Sequence, residues 1–360
     1  MKKKKIFYVV ESFGGGVFSY LQLLSNKLSG KYEIYILYGI RSQTPDNVQK
    51  FFDESIHLIP IESFCREINI KKDFKSFSFL KKYINEVNPD IVHLHSSKAG
   101  VIGRIIKIFH FIKYKNIKFF YTPHGYSFLM ENSSTIQKYI FYIIENVLGR
   151  FNTTTIACGK GEYNESKRLG SNTTYVNNCV DLSYIDSFKC DEKTDDVFYT
   201  VGRISAQKNP KLFNSIALQN PSKKFIWIGD GPMRSELTSN NIEILGWIPR
   251  DQVMSKVKCY PNFVLTSSWE GLPISLLEAM AMRKNCFVTN VIGNAEVIND
   301  DNGYKFNDVD DFNYVIRHFS DRSKEKGNAA RHDIEKYYSE KEFIKKYTSI
   351  YEEKLLGDIK

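Results

Sequence analysis

At 360 residues and 42% hydrophobic composition, the chain is longer than one hydrophobic core usually supports and too apolar for a disordered protein, so two globular domains are expected. No stretch approaches the roughly 20 apolar residues of a membrane span, and the run Ile6 to Val10 after the four opening lysines stops at Glu11, too short for a secretory leader. The net charge of +9 is uneven: residues 1–180 hold 25 Lys+Arg and 14 Asp+Glu, residues 181–360 hold 25 and 27, giving +11 against −2.

The N-terminal half reads as strands at Lys5–Val10, Tyr32–Tyr38, Ser55–Ile61, Asp90–Leu94, Lys118–Thr122, Thr154–Cys158 and Thr174–Asn177. Helical patterns such as Val17–Leu28 and Ile136–Leu148 lie between most of them. Such alternation predicts a parallel sheet covered on both faces. The first strand runs into Phe13-Gly-Gly-Gly-Val17, where Gly15 and Gly16 let backbone approach a phosphate at a helix N-terminus. A nicotinamide cofactor fits poorly, because Ser19 occupies the third glycine position and Tyr38-Gly-Ile-Arg41 carries no acid after the second strand. His93 and His95 are read as pointing to opposite faces of their strand. His124, in Thr122-Pro-His-Gly-Tyr126, follows another strand at its carboxyl end. Lysine and phenylalanine interleave in Lys71–Lys82 and Arg104–Lys118, which suits an anionic membrane surface, with Lys107, Lys113, Lys115 and Lys118 as contacts. No groove-reading motif or zinc module points to nucleic acid.

The polar stretch Asp181–Asp196, with the acidic cluster Asp191, Glu192, Asp195 and Asp196, reads as a solvated linker. A second strand series follows at Val197–Gly202, Phe225–Gly229, Ile242–Gly246, Phe263–Thr266 and Cys286–Thr289. After its first strand, Arg203 and Lys208 occupy a loop before a helix capped by Asn209 and begun by Pro210, a place for two cations to meet a diphosphate without a metal. After the fourth, Glu270-Gly271-Leu272-Pro273 leads into a helix carrying Glu278 about two turns in. Side chains lean towards a helix N-terminus, so both carboxylates can approach one ligand lying over its free amides. Carboxylates beside a phosphate site suit sugar hydroxyls. Asp308-Val-Asp310 reads as helix capping rather than a metal site. The tail Glu340–Leu356 places Phe343, Tyr347, Ile350, Tyr351 and Leu355 on one helical face that should pack back on another domain. Six scattered cysteines read as unpaired buried thiols of a reducing cytosol, and the Asn-x-Ser/Thr triplets at Asn132, Asn152, Asn164 and Asn172 as chance.

Together these motifs resemble the retaining glycosyltransferases of family four. The resemblance rests on Gly14-Gly-Gly16, Thr122-Pro-His-Gly125, Val176-Asn-Asn-Cys-Val-Asp181, Val201-Gly-Arg203 with Lys208, Ile228-Gly-Asp-Gly-Pro232, Leu245-Gly-Trp-Ile-Pro249, Glu270 to Glu278 and Asn302-Gly-Tyr304. It departs from the family at Gly293-Asn-Ala-Glu296 and at Asn177-Asn-Cys-Val-Asp181. The resemblance implies an α/β, GT-B fold: two Rossmann-like domains facing across a cleft, an acceptor domain over 1–180, a nucleotide-sugar domain over 181–338, and a terminal helix over 339–360. It implies that Arg203 and Lys208 hold the donor diphosphate, Glu278 the ribose, Glu270 the sugar hydroxyls, His124 the sugar from the other domain, and backbone near Trp247 the base. Gly15 and Gly16 would border donor phosphate and acceptor, and Gly271, Leu272 and Pro273 would line the donor. The expected reaction moves a hexose or N-acetylhexosamine from a UDP-sugar to a polyprenol-linked glycan for surface polysaccharide, without metal or other cofactor. It would take place in the cytoplasm, peripherally on the inner face of the membrane. A nucleotide-sugar 2-epimerase and a non-catalytic partner subunit are the rival readings.

Overall fold

The computed structural model describes residues 2–352 apart from 42–43, 66–67, 110, 112, 114–115, 130–133, 152, 191–193, 195 and 320–322. Lys115, Asn132, Asn152, Asp191, Glu192, Asp195 and Leu355, singled out above, lie outside the described residues. The chain divides into two compact units. The described residues of 1–129, 133–177 and 343–360 form one, and those of 178–342 form the other.

The first unit contains β1 (Lys5–Val10), α1 (Gly15–Leu28), β2 (Glu33–Tyr38), β3 (His57–Pro60), α2 (Ile70–Val87), β4 (Ile91–His95) and α3 (Ser97–Ile108). It continues with β5 (Lys118–Thr122), α4 (Thr135–Leu148), β6 (Thr154–Ala157), α5 (Lys160–Arg168) and β7 (Thr173–Tyr175). Its seven parallel strands lie in the order β3-β2-β1-β4-β5-β6-β7. Phe7, Val9, Val92 and Leu94 bury one face of the central strands with Leu80 and Ile84 of α2 and Ile102 and Ile106 of α3. Helix α3 comes close because Gly100 and Gly103 face the sheet, where a Cβ would lie 2.3 Å from the Tyr121 ring and from Leu94 respectively. That approach buries Arg104, expected in a surface cluster. It bonds the Glu145 carboxylate at 2.8 Å and stacks 4.1 Å from the Tyr121 ring centre.

The second unit contains α6 (Leu182–Ser187), β8 (Val197–Val201), α7 (Pro210–Gln219), β9 (Lys224–Ile228), β10 (Ile242–Gly246), α8 (Arg250–Cys259), β11 (Asn262–Leu265) and α9 (Ile274–Ala281). It continues with β12 (Asn285–Thr289), β13 (Tyr304–Phe306), α10 (Val309–His318) and α11 (Ser323–Tyr337). Its parallel strands run β10-β9-β8-β11-β12-β13. Counted within the unit this is 3-2-1-4-5-6, which puts the reversal of strand order between β8 and β11, where such sheets bind ligands at their carboxyl edge. The three-residue β13 was not expected. Helix α12 (Glu340–Tyr351) starts in the second unit, and from Phe343 onwards belongs to the first.

Two expectations need correction. The Asp181–Asp196 stretch is no bare linker: Asp181 caps α6, whose Ile185 is buried in the core of the second unit. The apolar contacts, Leu182, Tyr184, Ile185 and Phe188, stand among polar residues and are too few to show as a helix in the sequence. The cysteines are not all unpaired either, because Cys190 and Cys259 form a disulfide across 69 residues with their Cα atoms 5.2 Å apart. Tertiary folding brings these two together; sequence spacing carried no sign of it.

Candidate functional site

In the second unit, the loops after β8 and β11 meet at the reversal of strand order. Gly202 (φ 154°) turns the chain out of β8, and the buried Trp227 indole N–H donates to its carbonyl at 2.8 Å. Ala206–Lys208 make a 3-10 turn. Asn209, at φ 48°, then caps α7 by accepting from the Leu212 amide, with Pro210 as its first residue. Thr266 locks the two loops by donating to the Lys208 carbonyl at 2.7 Å, and the Ser268 amide donates to the Gln207 carbonyl at 2.9 Å.

Lys208 and Glu270 are brought together. The Lys208 ammonium donates to Glu270 Oε1 at 2.6 Å, the Ser267 hydroxyl donates to the same oxygen at 2.6 Å, and Gln207 donates to Oε2 at 3.3 Å. Arg203 is half-buried in the same loop. Gly271 and Leu272 follow, and Asn178 donates to the Leu272 carbonyl at 2.6 Å. Pro273 stands at the N-cap of α9, one residue earlier than a first-turn position. The loop after β12 braces this backbone from behind. Gly293 (φ 90°) approaches so closely that a Cβ would lie 2.5 Å from the Gly271 carbonyl oxygen and 2.8 Å from that of Glu270. Its neighbour Asn294, fully buried, donates to the Thr289 carbonyl at 3.1 Å.

Glu278 is buried and turned to a different partner, accepting from Arg250 at 2.5 Å. The Arg250 guanidinium lies 5.3 Å from the Tyr184 ring centre, and the Tyr184 hydroxyl donates to Asp251 at 2.6 Å. Trp247, just past β10, is 56% exposed and offers an open indole face. Sequence reasoning missed Gln207, Ser267, Asn178, Tyr184 and Arg250. Of these only Arg250 carried a signal, as a cation opening a helix after a strand of the binding edge. Asp308 caps α10 by accepting from the Asp311 amide at 2.9 Å, and among the described residues no group of three or more His, Cys, Asp or Glu is placed to hold a metal.

In the first unit, Gly15 has φ 54°, a conformation that favours glycine, and nothing lies within 4 Å of where its Cβ would be, so the helix start including Gly16 is open to approach. His124 also has a positive φ, 55°, and is followed by Gly125 at 97°. Glu162 holds this turn, accepting from the Gly125 amide at 2.6 Å and the Cys158 amide at 2.7 Å. Both His124 ring nitrogens are engaged: Nε2 pairs with His95 Nδ1 at 3.0 Å, and Nδ1 lies 3.3 Å from Cys158 Sγ. Burial holds the His124 imidazole neutral, with its pKa pushed down to about 3. His93 and His95 also lie well below the ordinary histidine range, chiefly through burial.

The expectation that His93 and His95 face opposite ways fails. Strand side chains alternate, so residues two apart share a face, and these rings lie 4.1 Å apart. Their face is covered by α12. Tyr351 meets His93 Nδ1 at 2.7 Å, and Tyr347 bonds Tyr20 of α1 through their hydroxyls. Thr122 meets His93 Nε2 at 2.8 Å and donates to the Ile156 carbonyl at 2.9 Å. His95 Nε2, fully buried, has no partner among the described residues.

Known proteins resemble this chain in sequence and in fold. Residues 14–184 match Glycosyltransferase Family 4 and residues 186–339 match Glycosyl transferases group 1. The UDP-Gal:alpha-D-GlcNAc-diphosphoundecaprenol alpha-1,3-galactosyltransferase of Escherichia coli is 30% identical over 309 residues, covering 76% of this chain and 77% of that protein. Among solved structures, sucrose-phosphate synthase from Thermosynechococcus elongatus superposes with TM-score 0.81 at 16% identity, covering 98% of this chain and 99% of that one. Anabaena HepE in complex with UDP and glucose gives 0.75 at 14%, covering 97% and 100%. The two parallel-sheet units are thus those of the GT-B fold, and the chain belongs to the group 1, family 4 glycosyltransferases.

Proposed function

We propose that this glycosyltransferase moves a hexose or N-acetylhexosamine from a UDP-sugar to a hydroxyl of a polyprenol-linked glycan in polysaccharide synthesis. In this reading it retains the anomeric configuration and needs no metal. The observation that carries the reading is the Lys208–Glu270 pair at the reversal of strand order, a cation and a sugar-binding carboxylate on adjoining loops. As the sugar–phosphate bond breaks, the diphosphate gains charge and the sugar becomes oxocarbenium-like. Lys208 and Arg203 stabilise the first, aided by the amides that open α9 behind Gly271, Leu272 and Pro273. Glu270 binds sugar hydroxyls, Glu278 the ribose, and Trp247 and its backbone the base. Gly15 and Gly16 admit phosphate and acceptor. A departing phosphate oxygen takes the acceptor proton.

His124 contacts the sugar as a neutral imidazole. Its bond to the Cys158 thiol, a weak donor, is the one that yields. The lipid acceptor and the UDP donor are supported by the Escherichia coli relative's name and by the HepE complex. Incubation of the purified protein with a panel of UDP-sugars tests the reading. Slow release of free UDP, accelerated by a polyprenol-diphosphate sugar, is expected. An isomerised sugar in place of UDP release makes it an epimerase, and neither product makes it a scaffold.

A further inference from the structure

Helix α4 is built inside out. Of its 14 residues the buried one is an acid, Glu145, while four of its six aliphatic side chains are exposed. Ile136 is 74% exposed, Ile140 48%, Ile143 43% and Val147 48%. At 100° per residue these four fall within about 60° of arc, on the side opposite Glu145. The orientation is held from behind: Glu145 accepts from Arg104 at 2.8 Å and from the Tyr121 hydroxyl at 3.0 Å, both on elements of the same unit. A capping box between Ser134 and Gln137 closes the helix start. A stripe so ordered and so exposed is not a loose surface helix.

We propose that α4 docks on an anionic lipid bilayer, with Ile136, Ile140, Ile143 and Val147 entering the interface. Charge selects this occupant. Glu145 is the one acid of α4 and it is buried in its ion pair, so the outward face presents no carboxylate, whereas exposed Arg150 lies just beyond the helix end. Helix α3 lies beside α4 and α2 beside α3, and α2 exposes Phe74 among Lys71, Lys72 and Lys75. A second copy would bring two basic surfaces together, while anionic headgroups attract them. Of the lysines expected to make that contact, Lys107, near the end of α3, is half-buried, donating to the Ile117 carbonyl at 3.1 Å over the Phe119 ring. No step of the transfer reaction enters this inference.

Sedimentation of the full-length protein with phosphatidylcholine vesicles, with and without phosphatidylglycerol, tests it. The protein should pellet with the phosphatidylglycerol vesicles and less so at high salt, since surface attraction is screened within about 8 to 10 Å. The double variant Ile140→Gln, Ile143→Gln should partition at least about tenfold more weakly, because each isoleucine loses its burial in lipid, and should melt with the wild type because both residues are exposed. Ile143→Trp should still bind, its added emission shifting to the blue. Wild-type protein left in the supernatant, a glutamine variant that pellets equally, or a wild-type dimer that the glutamine variant dissolves would each overturn the proposal, the last in favour of a second copy.

Discussion

Lys208 donates to Glu270 over 2.6 Å, so in the proposed reading an arriving diphosphate draws on a cation already committed to a carboxylate. That arrangement keeps the ammonium positioned, and binding exchanges one anionic partner for another. Lys208→Ala or Arg203→Ala is therefore expected to lower kcat by about 10² or more with melting unchanged, because the charge they face is largest in the transition state. Near-normal turnover in either variant would remove it from the diphosphate site. In the proposed reading Glu278, with its partner Arg250, belongs to binding instead. Ribose contacts are similar in ground and transition states, so Glu278→Ala should raise the donor Kd with little change in kcat. Arg250→Ala leaves Glu278 buried without this partner, a defect of about 1–3 kcal/mol, and should weaken UDP by roughly tenfold in calorimetry. An unchanged UDP affinity in Arg250→Ala would mean that the pair plays no part in binding.

At the scale of elements, the donor loop is braced by the loop after β12. Gly293 combines φ 90° with carbonyl oxygens that a Cβ would strike at 2.5 and 2.8 Å, so Gly293→Ala must displace the backbone of Glu270 and Gly271. Weaker donor binding and a lower Tm are expected together; wild-type kinetics would show that this loop yields freely. Helix α12 is joined to its sheet by a different kind of contact. His93 bonds Tyr351 of α12, His95 and His124 pair with each other, and burial holds all three imidazoles neutral. Once unfolded they take up protons near pH 6.5, whereas folded they resist until far lower, to about 3 for His124. The unfolded state then binds more protons, so stability is complete above about pH 6.5 and is lost as pH falls towards pH 3, by up to about 1.4 kcal/mol per unit for each histidine. Melting at pH 7.5 and 5.5 should show this drop, and His93→Gln should reduce it. An identical drop in that variant would assign the effect to other groups.

For the whole molecule, the same sheet plan recurs in both units, and each carries proposed contacts on loops at the carboxyl ends of strands, those of Gly15, Gly16, Arg203, Lys208 and Glu270 beside the reversal of strand order. In the proposed mechanism the positive charge comes from Arg203, Lys208 and helix amides, and Asp308 is occupied in capping α10. Transfer activity is accordingly expected to survive excess EDTA. A loss that magnesium or manganese restores would return Asp308 and Asp310 to the chemistry.

The alternation of short β-rich runs with amphipathic segments, and the glycines, prolines and caps that punctuate them, determined the two-sheet fold by sequence alone, because these are local preferences repeated along the chain. The loops of Arg203 to Lys208 and Glu270 to Glu278 were legible for the same reason: strand ends and helix starts bound them. Partnership was not legible, since it joins residues far apart. Arg250 with Glu278, Cys190 with Cys259, Asn178 with Leu272, and Tyr351 with His93 meet only when the chain is folded. Burial was hidden too. Arg104 was read within a surface cluster, yet it is enclosed with Glu145, while Ile143 of α4 stands in the open. A helical period marks which residues share a face, but only the packing of α3 and α4 on their sheet decided which face turned inwards.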